Sequence, residues 1–334
     1  LQGVQDLPAL RPTTMRALVT GATGFVGSHL VEALQRRGAT VTALARSPEK
    51  AASLTSQGIR VMPGHLHDET ALLQAARDQD VVYHVAGVVA ARNEAEFLRA
   101  NRDGTKHVVA AAESAGIRNF VLVSSLAAGG PSTRGLALNG SEPARPVTSY
   151  GRSKLASEEV VRSSRLQWSI VRPPMVYGPR DREVFKVFRL VRFGIAPLFG
   201  DGSQELSAVH AADLANALVL ASEAPTGKTY VACHPEVFTT AEFARVIGRT
   251  MERSVRTLKV PPVVGRALLS VTETTARLTG QTTILTADKA NEFFQAAWTG
   301  DPTPLISDTG WQPGYDLQTG MADTYQWYRK AGWL

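Results

Sequence analysis

The stretch Thr20-Gly21-Ala22-Thr23-Gly24-Phe25-Val26-Gly27 constrains the fold of this chain more than any other. It follows a short apolar run over 16–20 and opens a helical pattern over 25–37. A strand, a glycine-punctuated turn and a helix, in that order, form a phosphate-binding fingerprint. Gly21 permits the tight turn, Gly24 lets the backbone approach a pyrophosphate, and Gly27 lets helix and strand pack closely. Thr23, Phe25 and Val26 belong to the same turn. The helix start offers free N–H groups and a partial positive charge to an anion. Three glycines can also serve turns alone. The strand–turn–helix context is what favours a dinucleotide.

The rest of the first half repeats this alternation. Apolar strand runs at 40–45, 59–62, 80–86, 120–124 and 168–172 are separated by helical stretches, among them 94–114 and 150–163. Near-continuous apolar strands between helices imply a parallel sheet covered on both faces. The expected fold is α/β: a Rossmann-type doubly wound parallel sheet with a smaller, mainly helical C-terminal substrate lobe. Ligands of such sheets bind beyond the carboxyl ends of the strands, where the winding reverses. Regularity weakens after Pro173, with helices expected at 183–193, 211–222, 240–250, 262–277 and 318–330. Short strands are expected near 206–209 and 228–231. The division is an extension over 1–14, a dinucleotide-binding part over 15–180 to which segments near 205–232 return, and a lobe over 181–334. The 262–277 helix suits packing inside the lobe or contact with a membrane surface, and packing is the plainer expectation.

Composition closes off other classes. Of 334 residues 44% are hydrophobic, ample for a large core. The formal charge is +6, but Lys and Arg are scattered, so no nucleic-acid partner is expected. The single cysteine, Cys233, excludes an internal disulfide framework and fits a reducing, cytoplasmic setting. Beside Val231 and Ala232 it reads as a small core hydrophobe. No apolar run reaches the ~20 residues of a membrane span. No metal is expected, since His65, His67 and Asp68 lack a partner ligand cluster.

The end of the second strand decides between cofactors. An acidic residue there would hold a ribose 2′-hydroxyl. This chain has Leu44-Ala45-Arg46-Ser47-Pro48 instead. Arg46 can pair with a 2′-phosphate, Ser47 can add a hydrogen bond, and Lys50 is a weaker helper. Arg46 also suits an exposed surface position. The missing carboxylate favours NADP over NAD.

Tyr150 and Lys154 lie at i and i+4 of an expected helix, which puts phenol and ammonium on one face. A neighbouring ammonium lowers the phenol's pKa from about 10, so Tyr150 can exchange a proton with a carbonyl oxygen. Lys154 can also hold the nicotinamide ribose. Ser124 and Ser125 end the fifth strand at the ligand edge, where a hydroxyl can bond the oxygen on which charge develops. Each part is weak alone. Their order and context make the signal.

Together the pieces resemble the extended short-chain dehydrogenase/reductase family, also called the NAD-dependent epimerase/dehydratase family. They are TGATGFVG (20–27), HLHD (65–68), YHVAG (83–87), NRDGT (101–105), VSS (123–125), YGRSK (150–154), RPPMVYGPRD (172–181) and SAVHAADLANAL (207–218). The resemblance implies Ser125, Tyr150 and Lys154 as catalytic residues. It puts Leu66 and Asp68 at the adenine, and Val85, Ala86 and Gly87 along the ribose–pyrophosphate path. It puts Asn101 near the active site, Ser124 among the cofactor contacts, and Pro173, Met175 and Val176 at the nicotinamide. A homodimer acting on a small molecule is also implied.

Within that family, dehydratases carry Asp-Glu after the catalytic hydroxyl and epimerases often carry V-Y-G. This chain has Leu126-Ala127-Ala128-Gly129-Gly130. The C-terminal runs VPPVVGRALL (260–269), LTADK (285–289), GWQP (310–313) and YQWYR (325–329) resemble the 3β-hydroxysteroid dehydrogenase-like and dihydroflavonol reductase-like branches. The expected reaction is hydride transfer between NADP(H) and a carbonyl or secondary alcohol of a fairly apolar molecule. Phe185, Phe188, Phe193, Ile195, Leu198 and Phe199 suit an apolar pocket or, more simply, core. The alternatives are a nucleotide-sugar epimerase, with Arg180 and Arg189 as phosphate contacts, and a non-catalytic dinucleotide sensor or structural subunit. The presence of both Tyr150 and Lys154 disfavours the last.

Overall fold

The computed structural model of the chain describes residues 15–223 and 226–334; the expected extension over 1–14 lies outside them. The first half alternates β1 (Arg16–Thr20), α1 (Phe25–Arg36), β2 (Thr40–Ala45), α2 (Pro48–Ser56), β3 (Arg60–Pro63), α3 (Glu69–Ala76) and β4 (Val81–His84). Next come α4 (Glu94–Leu98), a π-helical turn (Arg99–Asp103), α5 (Gly104–Ser114), β5 (Asn119–Val123), α6 (Leu126–Gly129), α7 (Ser149–Arg162) and β6 (Gln167–Arg172). The single helix expected over 94–114 is thus three pieces. The wide turn carries Asn101 into the interior.

The main sheet has seven strands, all parallel, in the order β3-β2-β1-β4-β5-β6-β11, where β11 is Thr229–Val231. The winding reverses between β1 and β4, so their carboxyl ends open a crevice. Alternation along each strand feeds two cores. Ala17 and Val19 pack with Leu30 and Leu34 of α1 and with Leu214 and Leu218 of α9 (Ala211–Glu223). Leu18 packs the other way, with Leu72 of α3, Val108 of α5 and Val161 of α7. Each such buried leucine or valine contributes about 1.5–3 kcal/mol.

The remaining chain adds β7 (Met175–Tyr177), α8 (Glu183–Val191), β8 (Ile195–Phe199), β9 (Glu205–Leu206), β10 (Ala208–His210), β12 (Phe238–Thr239) and α10 (Thr240–Thr250). After these come β13 (Arg256–Val260), α11 (Pro262–Leu278), α12 (Ala290–Phe293), β14 (Ala297–Trp298), α13 (Thr303–Thr309) and α14 (Leu317–Lys330). A third core joins Phe188, Phe243, Ile247, Met321 and Tyr328. Alongside its helices this part carries small strand sets, of which the sequence pattern predicts only the stretch near 206–209, here β9 and β10. The sets are β12-β9-β14, β13-β8 and β10-β7, of two to five residues per strand and paired across long separations. Residues 129–140 are likewise more ordered than a free loop, with Ser132 bridged to Ala297 and Leu138 to Gly300.

Two packing expectations need correction. Of the six candidate pocket residues, Phe188 and Leu198 are core, and Phe193 and Ile195 are 77% and 41% exposed. Phe185 meets Tyr328 and Trp333 edge to face, and Phe199 lies on a cavity wall. The α11 helix does not pack inside the lobe: Gly265 and Leu269 are its buried residues. Periodicity shows that a helix has an apolar stripe, and α11 has two, of which one meets protein. Among the described residues no helix is long and apolar enough to cross a membrane.

Candidate active site

The glycine turn is tight where β1, β4 and α1 converge. Gly21 has φ of +76°, and a Cβ there would lie 2.7 Å from the Ala86 nitrogen. A Cβ on Gly27 would lie 2.0 Å from the Gly21 oxygen. Gly24 closes the turn by donating to the Gly21 carbonyl at 2.9 Å and starts α1 without a side-chain cap. The first N–H groups of α1 therefore remain available to an anion, with Thr23, Phe25 and Val26 beside them. These residues fit the pyrophosphate of a dinucleotide.

Around that turn the other expected cofactor residues fall on neighbouring strand ends. Arg46 directly follows β2, is exposed, and has no ion pair among the described residues. Ser47 is more occupied than expected: it caps α2 by accepting from the Lys50 amide at 3.4 Å and donates to Glu49 at 2.8 Å. Asp68 caps α3, accepting from the Ala71 amide at 2.9 Å. Leu66 lies against Gly104, where a Cβ would sit 2.8 Å from the leucine Cδ1. Val85, Ala86 and Gly87 continue from β4 into the crevice.

Asn101 is 2% exposed and acts as a clamp. Its carbonyl oxygen accepts from the Val88 amide at 2.8 Å, and its amide donates to the Val88 carbonyl at 3.1 Å and to Ser153 of α7 at 2.8 Å. The π-helical turn supplies the register that makes this reach possible; such turns recur at functional sites. His84, which sequence reasoning does not single out, lies 2.7 Å from the Thr20 hydroxyl and 2.9 Å from that of Thr105. Burial, reinforced by the Lys154 charge, pulls it down to about 3, so it stays neutral.

Lys154 is 5% exposed and donates to the Val123 carbonyl at 2.7 Å. A Cβ on Gly87 would lie 3.7 Å from its Nζ, so the ammonium borders the ribose–pyrophosphate path. Burial pulls its pKa down to about 8 against the raising effect of Glu158. Tyr150 is half-buried with its phenol beside Ser125, and burial pushes that phenol up to about 12. The expected lowering by Lys154 is not among the influences on that phenol; the ammonium is turned to the end of β5. Ser125 also caps α6, accepting from the Ala127 amide at 3.2 Å. Ser124 faces away from it: its hydroxyl donates to Glu158 at 2.5 Å, which leaves that hydroxyl no free reach into the crevice. Pro173 is tied to α6 through the Leu126 amide at 2.9 Å, and Met175 and Val176 follow in β7.

A cover over Tyr150 comes from far along the chain. Glu292 accepts from the Thr148 hydroxyl at 2.8 Å, and Asp288 accepts from the Ser149 amide at 2.8 Å. The Lys289 Nζ lies 5.9 Å from the Tyr150 ring centroid. With Thr283, Ile284 and Thr286 these leave a space of ≈ 20 Å³ beside the phenol. LTADK marks this segment in the sequence, but spacing alone does not fold it onto Tyr150. A separate, larger cleft of ≈ 550 Å³ is walled by Phe199, Phe293, Phe294, Pro261 and Pro262 with Arg134, Gln204 and Lys259 as polar groups; it shares no lining residue with that space, although Phe293 follows Glu292 in the chain. Arg180 pairs with Glu32 of α1 and Arg189 is exposed on α8, so neither points to a phosphate role. Cys233 is buried, as expected of a core hydrophobe, and burial pushes its thiol up to about 12. Among the described residues no group of three or more His, Cys, Asp or Glu could hold a metal ion.

The model of the NAD dependent epimerase/dehydratase family matches residues 17–233. The chain is 32% identical to a ceramide reductase of Caulobacter vibrioides over 319 residues, 95% of each chain. It is 33% identical to the 4-hydroxy-2-methyl-3-oxo-4-farnesyl-3,4-dihydroquinoline-1-oxide ketoreductase of Stigmatella aurantiaca, over 65% of this chain and 67% of that one. Its fold matches MoeE5 in complex with UDP-glucuronic acid and NAD at a TM-score of 0.74 and 23% identity, covering 95% and 99% of the two chains. The chain belongs to the NAD dependent epimerase/dehydratase family and is an NAD(P)-dependent enzyme of the extended short-chain dehydrogenase/reductase type.

Proposed function

We propose that the chain transfers hydride reversibly between NADP(H) and a carbonyl or secondary alcohol on a lipophilic small molecule. The observation that carries this reading is Tyr150 beside Ser125 at the strand-end crevice, with Lys154 one helical turn further along α7; an aromatic cleft walled by Phe199, Phe293 and Phe294 lies further along the covering segment. A bound nicotinamide dinucleotide supplies the hydride in the reducing direction. Tyr150, protonated at neutral pH, gives its proton to the carbonyl oxygen. The Ser125 hydroxyl donates its one hydrogen bond to that oxygen as charge develops. Lys154 bears on the ribose side, while Asn101 holds Val88 and α7 in register. In oxidation the proton moves the other way.

The two relatives whose names specify reductases act, by those names, on a ceramide and on a farnesylated quinoline oxide, which agrees with an aromatic-walled cleft. Arg46 in place of a carboxylate after β2 supports NADP. The test is cofactor absorbance with NADPH and NADH over a panel of long-chain ketones. We expect NADPH preference, and Arg46→Ala to raise KM for NADPH roughly ten- to hundredfold, the worth of a lost charge-assisted bond, with little change for NADH. Equal use of NADH would remove the NADP assignment. Interconversion of a UDP-sugar without net cofactor consumption would replace the reductase by an epimerase, the reading that MoeE5's ligands suggest.

A further inference from the structure

Helix α11 turns an apolar face to solvent. Its inward stripe is Gly265 and Leu269, with Gly265 so close to its neighbours that a Cβ would lie 2.6 Å from Phe294 and 3.0 Å from Phe199. The opposite stripe is Val264, Leu268, Val271 and Leu278, at i, i+4, i+7 and i+14, which share one helix face. These side chains are 49%, 54%, 63% and 84% exposed, and Val263 beside them is 80% exposed. On the paired strands β8 and β13, the second of which leads into α11, Ile195 and Leu258 are each 41% exposed.

The polar residues of this helix are arranged for a place with little water. Ser270, Thr272, Thr274 and Thr275 return their hydroxyls to carbonyls of Arg266, Leu268, Ser270 and Val271 at 2.8–3.0 Å. Those donors are satisfied inside the helix, so covering the face with an apolar medium strands none of them. The sequence around the face is basic, and Arg266 lies over the Phe294 ring at 5.6 Å. Between Arg249 and Arg277 there are six basic residues (Arg249, Arg253, Arg256, Lys259, Arg266, Arg277) and two acidic ones (Glu252, Glu273). That is a local +4 in a chain of +6. Glu273 is paired with Arg277. Lys259 faces Asp201. Apolar side chains flanked by Arg and Lys match the acyl boundary and the phosphates of an anionic bilayer.

We propose that α11 and the tip of β13 dock on an anionic lipid bilayer, with Val264, Leu268, Val271 and Leu278 entering the headgroup–acyl boundary and Arg256, Lys259 and Arg266 meeting headgroup phosphates. Docking stands on these residues alone. One consequence rests on the reductase reading: Lys259, Pro261 and Pro262 also line the large cleft, so the cleft mouth then faces the bilayer and a lipophilic substrate enters without crossing water.

The test is sedimentation of the full chain with phosphatidylcholine vesicles, plain or containing one-third phosphatidylglycerol, without substrate or cofactor. The expected result is partition onto the anionic vesicles that weakens as salt rises above about 0.1 M. Leu268→Asp with Val271→Asp, and separately Arg256→Glu with Lys259→Glu, each lower it by about tenfold or more. All four positions are exposed, and unchanged circular dichroism and melting confirm folding. No excess binding to anionic vesicles overturns the proposal, and so does binding that Leu268→Asp with Val271→Asp leaves intact. A concentration-dependent dimer that this pair of changes dissolves also overturns it, because a second copy then covers the face. Loss of all ketone reduction leaves this result untouched and counts against the reductase reading alone.

Discussion

Tyr150 sits under opposing influences. Burial and Glu292 hold its proton on, while the Ser125 hydrogen bond favours release. Tyr150 is therefore protonated at neutral pH, the state that carbonyl reduction needs. Tyr150→Phe keeps the ring packing with Phe97 and removes the proton. Turnover is expected to fall by about 10²–10⁴ while NADPH affinity, read by fluorescence titration, stays within a few-fold. If activity survives, another group moves the proton. This residue was legible in the sequence because an i, i+4 pair is local chemistry. The split between neighbours Ser124 and Ser125 came from the family likeness and not from the local pattern, since strand alternation sends one hydroxyl to the core and one to the crevice without saying which. Only the partners, Glu158 and Tyr150, tell which is which.

Among the elements, α7 does more than present Tyr150 and Lys154. Its inner face carries Glu158, fully buried and bound by Arg172 of β6 at 2.8 and 2.7 Å and by Arg162 at 2.7 Å. The pair locks α7 onto the sheet beneath the catalytic face. Glu158→Gln leaves Arg172, itself 2% exposed, without its counter-charge. A loss of about 3–5 kcal/mol is expected by denaturant melts, as for other broken buried pairs. An unchanged midpoint would show that water reaches Arg172. The main-sheet strands and the long helices were legible because burial on both faces writes continuous apolar runs. The π-helical turn at Arg99–Asp103 was not, because its sequence looks like one more turn of helix. The strand pairs β8–β13 and β12-β9-β14 were not either: they are short and join residues 30 to 90 positions apart.

Across the whole molecule, the active site is assembled from both ends of the chain. Residues near Thr20 set the phosphate turn, and residues near Thr283–Glu292 close over Tyr150. The first set was readable from turn chemistry. The second was not: LTADK (285–289) carries a family likeness without a site role, and a contact across some 140 residues leaves no local periodicity. The exposed apolar stripe of α11 escaped for a related reason: periodicity finds stripes without saying what covers them. The ≈ 20 Å³ beside Tyr150 holds little more than a water molecule, far less than any ketone of interest. On that volume the segment held by Asp288 and Glu292 is expected to swing aside for the reaction and return, a motion that belongs to the micro- to millisecond range. Isotopes can time it. With NADPH deuterated at the transferred position, kcat is expected to show an isotope effect near unity, because opening rather than bond-breaking sets the pace. Asp288→Ala, which releases the Ser149 amide, is expected to unmask a larger one. A full isotope effect on the unmodified enzyme would mean that the cover moves freely, and that the chemistry itself is the slow clock of this protein.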